Sequence, residues 1–508
     1  MKVIHTHKLD SIKILCTLFI LCLVNIIFGQ PEISWQKSFG GTGNDVARSI
    51  QQTVDGGYIV AGATFSSNGD VTTQIGGGDI WIIKINSLGN LEWDKSIGGS
   101  GTDEAYAIRQ TSDGGYIITG MSDSNDFLGE NLGNGYDDIV IIKTNSTGDM
   151  EWGHKFGSPP GERGHDVKQT PDGGYIVTGF IGGAGGISGG LWLVKLDANG
   201  NLASSWSNTT FGSAQGYSVV TTSDGGVIVT GYTSFQNNDN TYNQDARVLK
   251  LNALSEVEWD YSFGGTLADY GRSIKQTSDG GYIVAGTSQS YDGDLTNNQG
   301  GQDFWVLKLD ALGIMQWQNT FGGTSEDIGI DIEETVDGGY IMTGQTNSND
   351  GDVSGNGSGS FYDYWVIKLN STGTLLWQKC IGGNSNDMGT AIGLTADGGY
   401  IVAGRSNSNG SGNHGLYDFF VVKLEPETLS IETNINTISF HIYPNPTSDR
   451  VLINSNANIE SITVYSILGE HITTSTKKEM NLNGYASGMY LFELKTDKGN
   501  IFKKVIKN

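Results

Sequence analysis

Cysteine is almost missing from this chain: three residues in 508, at Cys16, Cys22 and Cys380. Two of them lie in the first 29 residues, so a chain trimmed there keeps Cys380 alone and forms no internal disulfide. Proline is equally sparse, at 7 residues. Basic residues are few, with 30 Lys plus Arg against 55 Asp plus Glu and a net charge of −25. Such a chain repels phosphate backbones, which argues against a nucleic-acid partner. Long apolar runs are absent beyond Ile14–Phe28, and no convincing helical period appears. Mature histidines are only His154, His165, His414, His441 and His471, without metal-ligand spacing. No Gly-x-Ser-x-Gly elbow sits in a strand-turn-helix setting.

Glycine, by contrast, is abundant, with 76 residues, roughly twice the usual share of about 7%. No Gly-X-Y period accompanies it, which excludes collagen. Hydrophobic residues at 37% and aromatics at 10% exclude a disordered chain. This composition predicts many short strands joined by tight turns.

Residues 1–29 read as a secretory signal peptide. Lys2, Lys8 and Lys13 precede the apolar run, and cleavage is expected between Gly29 and Gln30. The run is short for a retained membrane anchor, which takes about 20 residues. No membrane span is expected after cleavage.

The string Asp-Gly-Gly recurs at Asp55, Asp113, Asp172, Asp224, Asp279, Asp337 and Asp397, with spacings of 58, 59, 52, 55, 58 and 60 residues. A period of this length marks repeated supersecondary units. Each unit reads as four strands. In the first, strand a is Ala47–Thr53, b is Tyr58–Thr64, c is Ile80–Ile85 and d is Leu91–Ile97. All 11 tryptophans fall on strands c and d, as a repeated core aromatic would. Cys380 occupies the strand-d place held by Ser38, Ser96, Ser262 and Thr320, which predicts a small packed residue. The recurrent strand-c lysines, from Lys84 to Lys423, predict a structural role.

The last unit stops at Phe419–Leu424 without a Trp-bearing strand d, and Ile33–Phe39 at the other end supplies one. This split predicts circular closure: an all-β, seven-bladed β-propeller over residues 30–424 whose N-terminal strand completes the last blade. The turn Thr53-Val54-Asp55-Gly56-Gly57-Tyr58 resembles the Asp-box turns of sialidase-like propellers, without their closing Thr-Trp. The whole unit resembles the Asp-Gly-Gly-Tyr propeller repeats of secreted Bacteroidetes proteins. That resemblance implies fold more than activity.

A linker, residues 425–437, leads to a small β-sandwich at 438–508. Tyr443-Pro444-Asn445-Pro446 opens it. Val464 to Gly469 and Gly488-Met489-Tyr490 follow, and Lys503-Lys504 sits near the end. These parts, in this order, resemble the type A C-terminal sorting domain of type IX secretion cargo. The resemblance implies the type IX machinery as a partner and a secreted or outer-surface location. The segment is basic, with 8 basic and 6 acidic residues, whereas residues 30–437 carry 19 and 48.

Strands a and c run opposite to b and d, so the long b–c and d–a loops share one face. Function is expected there. Two acidic rings mark it: Asp45, Asp103, Glu162, Asp269, Asp327 and Asp387 on the d–a loops, and Asp79, Asp138, Asp245, Asp303, Asp363 and Asp418 at the ends of the b–c loops. Blade 4 departs from the first with Ala214, and blade 3 from the second with Gly190. Their repetition favours capping of local amides over cation binding. Asp292, Asp294, Asp350 and Asp352 form Asp-Gly-Asp loops suited to calcium, the one cofactor the sequence suggests. Arg48, Tyr106, His165, Tyr217 and Arg272 share one strand-a column and are candidates to line a central channel. Two functions follow. One is a non-catalytic binding or adhesion module for a polysaccharide or surface protein. The other is a glycoside hydrolase or lyase at the channel mouth, although no acid pair is singled out.

Overall fold

The computed structural model describes residues 27–508 apart from 128–136, 158–160, 183–188, 209–212, 237–241, 296, 358–360, 409–411, 428, 431–439, 456–457, 467–470 and 497–498. The expected signal peptide, residues 1–29, therefore lies outside the described residues except for its last three positions. Two compact units are present: Gly29–Thr428, and a second containing Leu429–Asn508.

The first unit is a ring of seven four-stranded antiparallel sheets, the blades of a propeller. The closure expected from the split repeat is present. Ile33–Phe39 pairs with Asp418–Leu424, from Ile33 opposite Leu424 to Phe39 opposite Phe419. It is the outer strand of the sheet that also holds Tyr400–Ser406 and Asp387–Leu394. Strand a begins earlier than its apolar pattern suggests, at Asp45–Gln52, because the Asp45 amide already bonds to Tyr417 O of the last blade. In blade 4 the b–c connection is largely strand: Val227–Gln236 and Tyr242–Leu251 stay paired to Gln236 opposite Tyr242.

Every strand a is interrupted at the same place. Ala47 pairs with Gly62 and Ser49 with Ala61, which leaves Arg48 as an unpaired bulge residue. The same shift skips Tyr106, His165, Tyr217, Arg272, Ile330 and Thr390. A bulge kinks the strand and re-aims one side chain. The facing strand-b residue is glycine each time for a steric reason. A Cβ on Gly62 would sit 1.9 Å from Val46 O, and one on Gly286 would sit 1.7 Å from Tyr270 O.

Blades pack through aromatics. The strand-d tryptophan of one blade meets the Asp-Gly-Gly-Tyr tyrosine of the next: Trp35 with Tyr58 at 5.9 Å, Trp93 with Tyr116 at 6.1 Å, and Trp377 with Tyr400 at 6.3 Å. Trp81, Trp305 and Trp365 on strand c are fully buried. Cys380 is a half-buried packing residue whose thiol is pushed up to about 12 by burial. The strand-c lysines hold the turns. Lys84 Nζ lies 2.9 Å from Asp55, and the pairing recurs as Lys143–Asp113, Lys195–Asp172, Lys250–Asp224, Lys308–Asp279, Lys368–Asp337 and Lys423–Asp397.

The second unit has a three-stranded sheet (Phe440–Tyr443, Arg450–Ser455, Glu479–Asn481) and a four-stranded one (Ile459–Ser466, His471–Ser475, Gly488–Thr496, Gly499–Lys507). They share one core that includes Val451, Ile462, Phe492 and Val505. Among the described residues, no helix is long and apolar enough to cross a membrane.

Gly286→Ala should cost about 1–3 kcal/mol through overpacking against the Tyr270 carbonyl, read from the urea midpoint. The turn aspartates set acid stability. Burial opposes ionisation of Asp55, but hydrogen bonds from Thr53, Lys84 and the Gly57 amide bring its pKa down to about 2. Asp113, Asp172, Asp224 and Asp279 are likewise held at about 2. A carboxylate depressed in the folded state adds stability above its unfolded pKa and loses it as pH falls. Tryptophan fluorescence should therefore report steep destabilisation between about pH 4 and pH 2, shallower in Lys308→Met.

Candidate functional site

The bulges deliver their side chains to the axis of the ring. Arg48, Tyr106, His165, Tyr217 and Arg272 line one central cavity of about 770 Å³, with Ile330 and Thr390 completing the turn. The five polar residues form a continuous arc. The Arg48 guanidinium lies 5.6 Å from the Tyr106 ring centre. Tyr106 stacks on His165 at 5.3 Å, and His165 meets Tyr217 edge-on at 5.0 Å. Arg272 sits 4.5 Å from Tyr217 and 4.9 Å from Tyr270. Stacked guanidinium groups keep their N–H edges free for a ligand.

The electrostatics are specific. Burial, then the charges of Arg163, Arg272 and Arg48, push the His165 pKa down to about 3, so its imidazole is neutral at physiological pH. Burial foremost, with Glu104 nearby, raises the Tyr106 phenol to about 12. Arg48 Nε, Arg272 Nε and His165 Nε2 are shielded and lack a hydrogen-bond partner among the described residues. Arg48 also makes a 3.4 Å contact with Glu104.

A second layer lies deeper along the channel and was not visible in the strand-a column. The bulge shifts the alternation, so Arg109, Lys168, Lys275 and Glu333, three residues beyond the arc position, also face the cavity. A tally of that second column would have found them. The channel acids are tied down. Asp166 is bound by Lys168 at 2.9 Å, Arg109 at 3.2 Å and the Val219 amide at 3.1 Å. Burial opposes its ionisation, but Lys168 and Arg109 hold its pKa below the ordinary range. Asp331 accepts from Ser273 Oγ at 2.7 Å and the Ile392 amide at 3.1 Å. The arc thus converges on one cavity, and Asp166 and Asp331 in it are committed to ion pairs or amides.

The Asp-Gly-Asp loops brace neighbouring d–a loops. Asp292 accepts from the Thr266 amide at 2.8 Å and Asp294 from Gly264 at 3.0 Å. Asp350 accepts from Thr324 at 2.8 Å, and Asp352 from Gly322 at 3.3 Å and Gln299 Nε2 at 2.7 Å. Among the described residues, no group of three or more His, Cys, Asp or Glu forms a metal-holding cluster.

In the second unit, Asn445 clamps the C-terminal strand. Its Nδ2 donates to Lys504 O at 2.8 Å, its Oδ1 accepts from the Ile506 amide at 2.8 Å, and the Thr447 amide donates to Ile506 O at 2.8 Å. The Tyr443-Pro444-Asn445-Pro446 segment is thereby brought beside Lys503 and Lys504, whose side chains are exposed. Gly488 starts the strand paired to Lys507, at that strand's far end. Gly469 lies outside the described residues.

Residues 441–508 match the family model described as the secretion system C-terminal sorting domain. The chain thus carries a type IX sorting tail, which marks a protein sent to the cell surface or the extracellular space. The chain also has weaker resemblances. A 160-residue stretch is 26% identical to the regulatory protein FlaEY of Caulobacter vibrioides, covering 30% of this chain and only 17% of that protein. Among solved structures, the extracellular domain of a hybrid two-component system from B. thetaiotaomicron aligns at 11% identity and a TM-score of 0.41. It covers 94% of this chain and 59% of that one. The Penicillium chrysogenum alpha-L-arabinanase complexed with arabinobiose aligns at 10% identity and 0.41, covering 62% and 94%. The propeller assignment rests on the strand pairing given above.

The sorting clamp yields a prediction. Asn445→Ala removes both bonds to the C-terminal strand, so the protein should accumulate in the periplasm, as should a chain lacking residues 438–508. Immunoblots of periplasmic and culture fractions would read this, and unchanged secretion of the truncated chain would contradict it.

Proposed function

We propose that this is a secreted, non-catalytic binding module whose channel takes an acidic polysaccharide. On this reading the signal peptide of residues 1–29 carries the chain across the inner membrane of a Bacteroidetes cell, and the tail directs it across the outer one. The carrying observation is the arc of Arg48, Tyr106, His165, Tyr217 and Arg272. Aromatic faces suit sugar rings, and guanidinium groups suit carboxylate or sulfate groups. The cavity faces Arg48, Arg109, Lys168, Arg272 and Lys275 against Asp166, Asp331 and Glu333. Cations therefore outnumber acids inside a propeller that is strongly acidic elsewhere.

The catalytic alternative finds less support. Hydrolysis of a glycoside uses one raised carboxyl as acid and a second as base or nucleophile. Asp166 is held ionised by Lys168 and Arg109, and His165 is neutral. A lyase would need only one base, and the convergence of Arg48, Arg272 and His165 is what speaks for it.

A glycan array probed with the mature chain separates these readings. Uronate-bearing or sulfated polysaccharides should be retained and their neutral counterparts not, with no oligosaccharide released. Arg272→Ala should weaken binding about tenfold or more, the worth of one charge-assisted hydrogen bond. Equal retention of neutral glycans would sink the charge argument, and released sugars would establish catalysis.

A further inference from the structure

Carboxylates meet in pairs where adjacent blades join. The first residue of strand c in one blade faces the first residue of strand a in the next, across the glycine that ends strand d. A Cβ on Gly322 would stand 2.3 Å from Asp303 Oδ1 and 2.6 Å from Asp327 Oδ2. On Gly98 it would stand 2.2 Å from Asp79 Oδ1 and 2.8 Å from Asp103 Oδ2. Gly382 gives 2.2 Å to Asp363 Oδ1 and 2.8 Å to Asp387 Oδ2, and Gly40 gives 2.6 Å to Asp418 Oδ1 and 2.5 Å to Asp45 Oδ2. At each of these four junctions, oxygens of two carboxylates converge on one small volume.

The strand-c oxygens aimed there have no hydrogen-bond partner among the described residues. Asp79, Asp303 and Asp418 are 0% exposed and Asp363 is 3% exposed. Each has an Oδ1 without a hydrogen bond, while Oδ2 of Asp79, Asp303 and Asp418 accepts a backbone amide. Ser38 Oγ and Thr320 Oγ1, in the neighbouring strand-d column, are also shielded and unpartnered. Leaving buried anionic oxygens unmatched is costly.

The other junctions show what belongs there. At Asp138 the strand-d column holds lysine in place of serine, and Lys155 Nζ lies 3.1 Å from Asp138 with both side chains nearly inaccessible. At the junction of blades 3 and 4, both acids are lost together, as Gly190 and Ala214. At Asp245 an amide fills the role: Asn243 Nδ2 donates to Asp245 Oδ1 at 3.0 Å. The acids persist as a pair, disappear as a pair, or acquire a donor of their own.

We propose that the four junctions Asp79/Asp103, Asp303/Asp327, Asp363/Asp387 and Asp418/Asp45 each bind a calcium ion that bridges two blades. Two carboxylates balance a divalent charge. The oxygens are close enough for one ion with bonds of about 2.3–2.6 Å. Hydroxyl, backbone and solvent oxygens complete the six to eight that calcium takes. This site is separate from the channel, so it stands or falls independently of the polysaccharide reading.

The test uses the mature full-length chain, stripped with EGTA and then dialysed against calcium chloride. Elemental analysis should find four calcium ions per chain, and calorimetry a chelator-reversible rise in melting temperature of about 5 °C or more. Asp303→Asn with Asp327→Asn should remove one ion. Lys155→Ser, which opens a fifth pocket, should add one. Ser96→Lys should remove one and raise the melting temperature in EGTA, because its ammonium would stand in for the ion between Asp79 and Asp103. This variant keeps the test decisive if the Asn double variant does not fold. No retained calcium, or bound calcium whose amount none of these variants alters, would overturn the proposal. So would stabilisation by acid alone with no response to calcium, the signature of a proton shared between the carboxyls.

Discussion

The close approach of strands a and b at the bulge constrains everything else in the propeller. The strand-a carbonyl before each bulge comes so near strand b that only a residue without a Cβ fits opposite. Backbone therefore dictates glycine at Gly62, Gly120, Gly179, Gly231, Gly286, Gly344 and Gly404, and the bulge in turn releases one inner side chain per blade from the ladder. Seven such side chains around one axis make a ring. The channel is thus a by-product of the way each blade bends, and its chemistry is whatever stands at the bulge position.

A ring of sheets also needs its blades to hold one another. Two contacts repeat at the junctions, and each suits its depth. Tryptophan against tyrosine fills the outer part with apolar area. Within each blade the lysine–aspartate pair fixes the a–b turn, where solvent limits its value. The carboxylate pairs lie at the opposite face and are buried, so their cost is highest and their compensation most exacting. Lys155 and Asn243 meet that cost with donors from the chain itself. Closure by Ile33–Phe39 makes the last junction like the others, and Asp45 faces Asp418 across it as Asp103 faces Asp79.

The architecture was legible because periodicity, turn chemistry and the tryptophan positions all agreed. The divided terminal unit even revealed which strand closes the ring. The sorting tail was legible for a different reason: its motifs are local and ordered. What could not be read was anything that depends on register between strands. The bulge hides inside an ordinary strand pattern, so Arg109, Lys168 and Lys275 fell on what looked like a different face from Arg48 and Arg272. Gly190 and Ala214 appeared as two unrelated exceptions in two acidic rings. Only the pairing of blade 3 with blade 4 makes them one event. The Asp-Gly-Asp letters drew attention to Asp292 and Asp350, which cap neighbouring amides, while the unmatched oxygens lie nearby on Asp303 and on its strand-c counterparts Asp79, Asp363 and Asp418.

A repeat supplies its own control, because positions under structural demand recur and positions free of it diverge. The turn aspartate, the strand-b glycine and the strand-c lysine each recur in all seven blades. At the bulge the residues are Arg48, Tyr106, His165, Tyr217, Arg272, Ile330 and Thr390, which share neither size nor charge. Packing alone would have favoured one residue type seven times, as it does at the facing strand-b glycine. The divergence is also asymmetric: five consecutive blades carry the aromatic and cationic groups, and the two apolar or small residues follow one another. A channel lined this way has a polar side and a bland side. That asymmetry suits a ligand that approaches off-axis and lies along one wall, and it is the feature a seven-fold structural scaffold has no reason to produce.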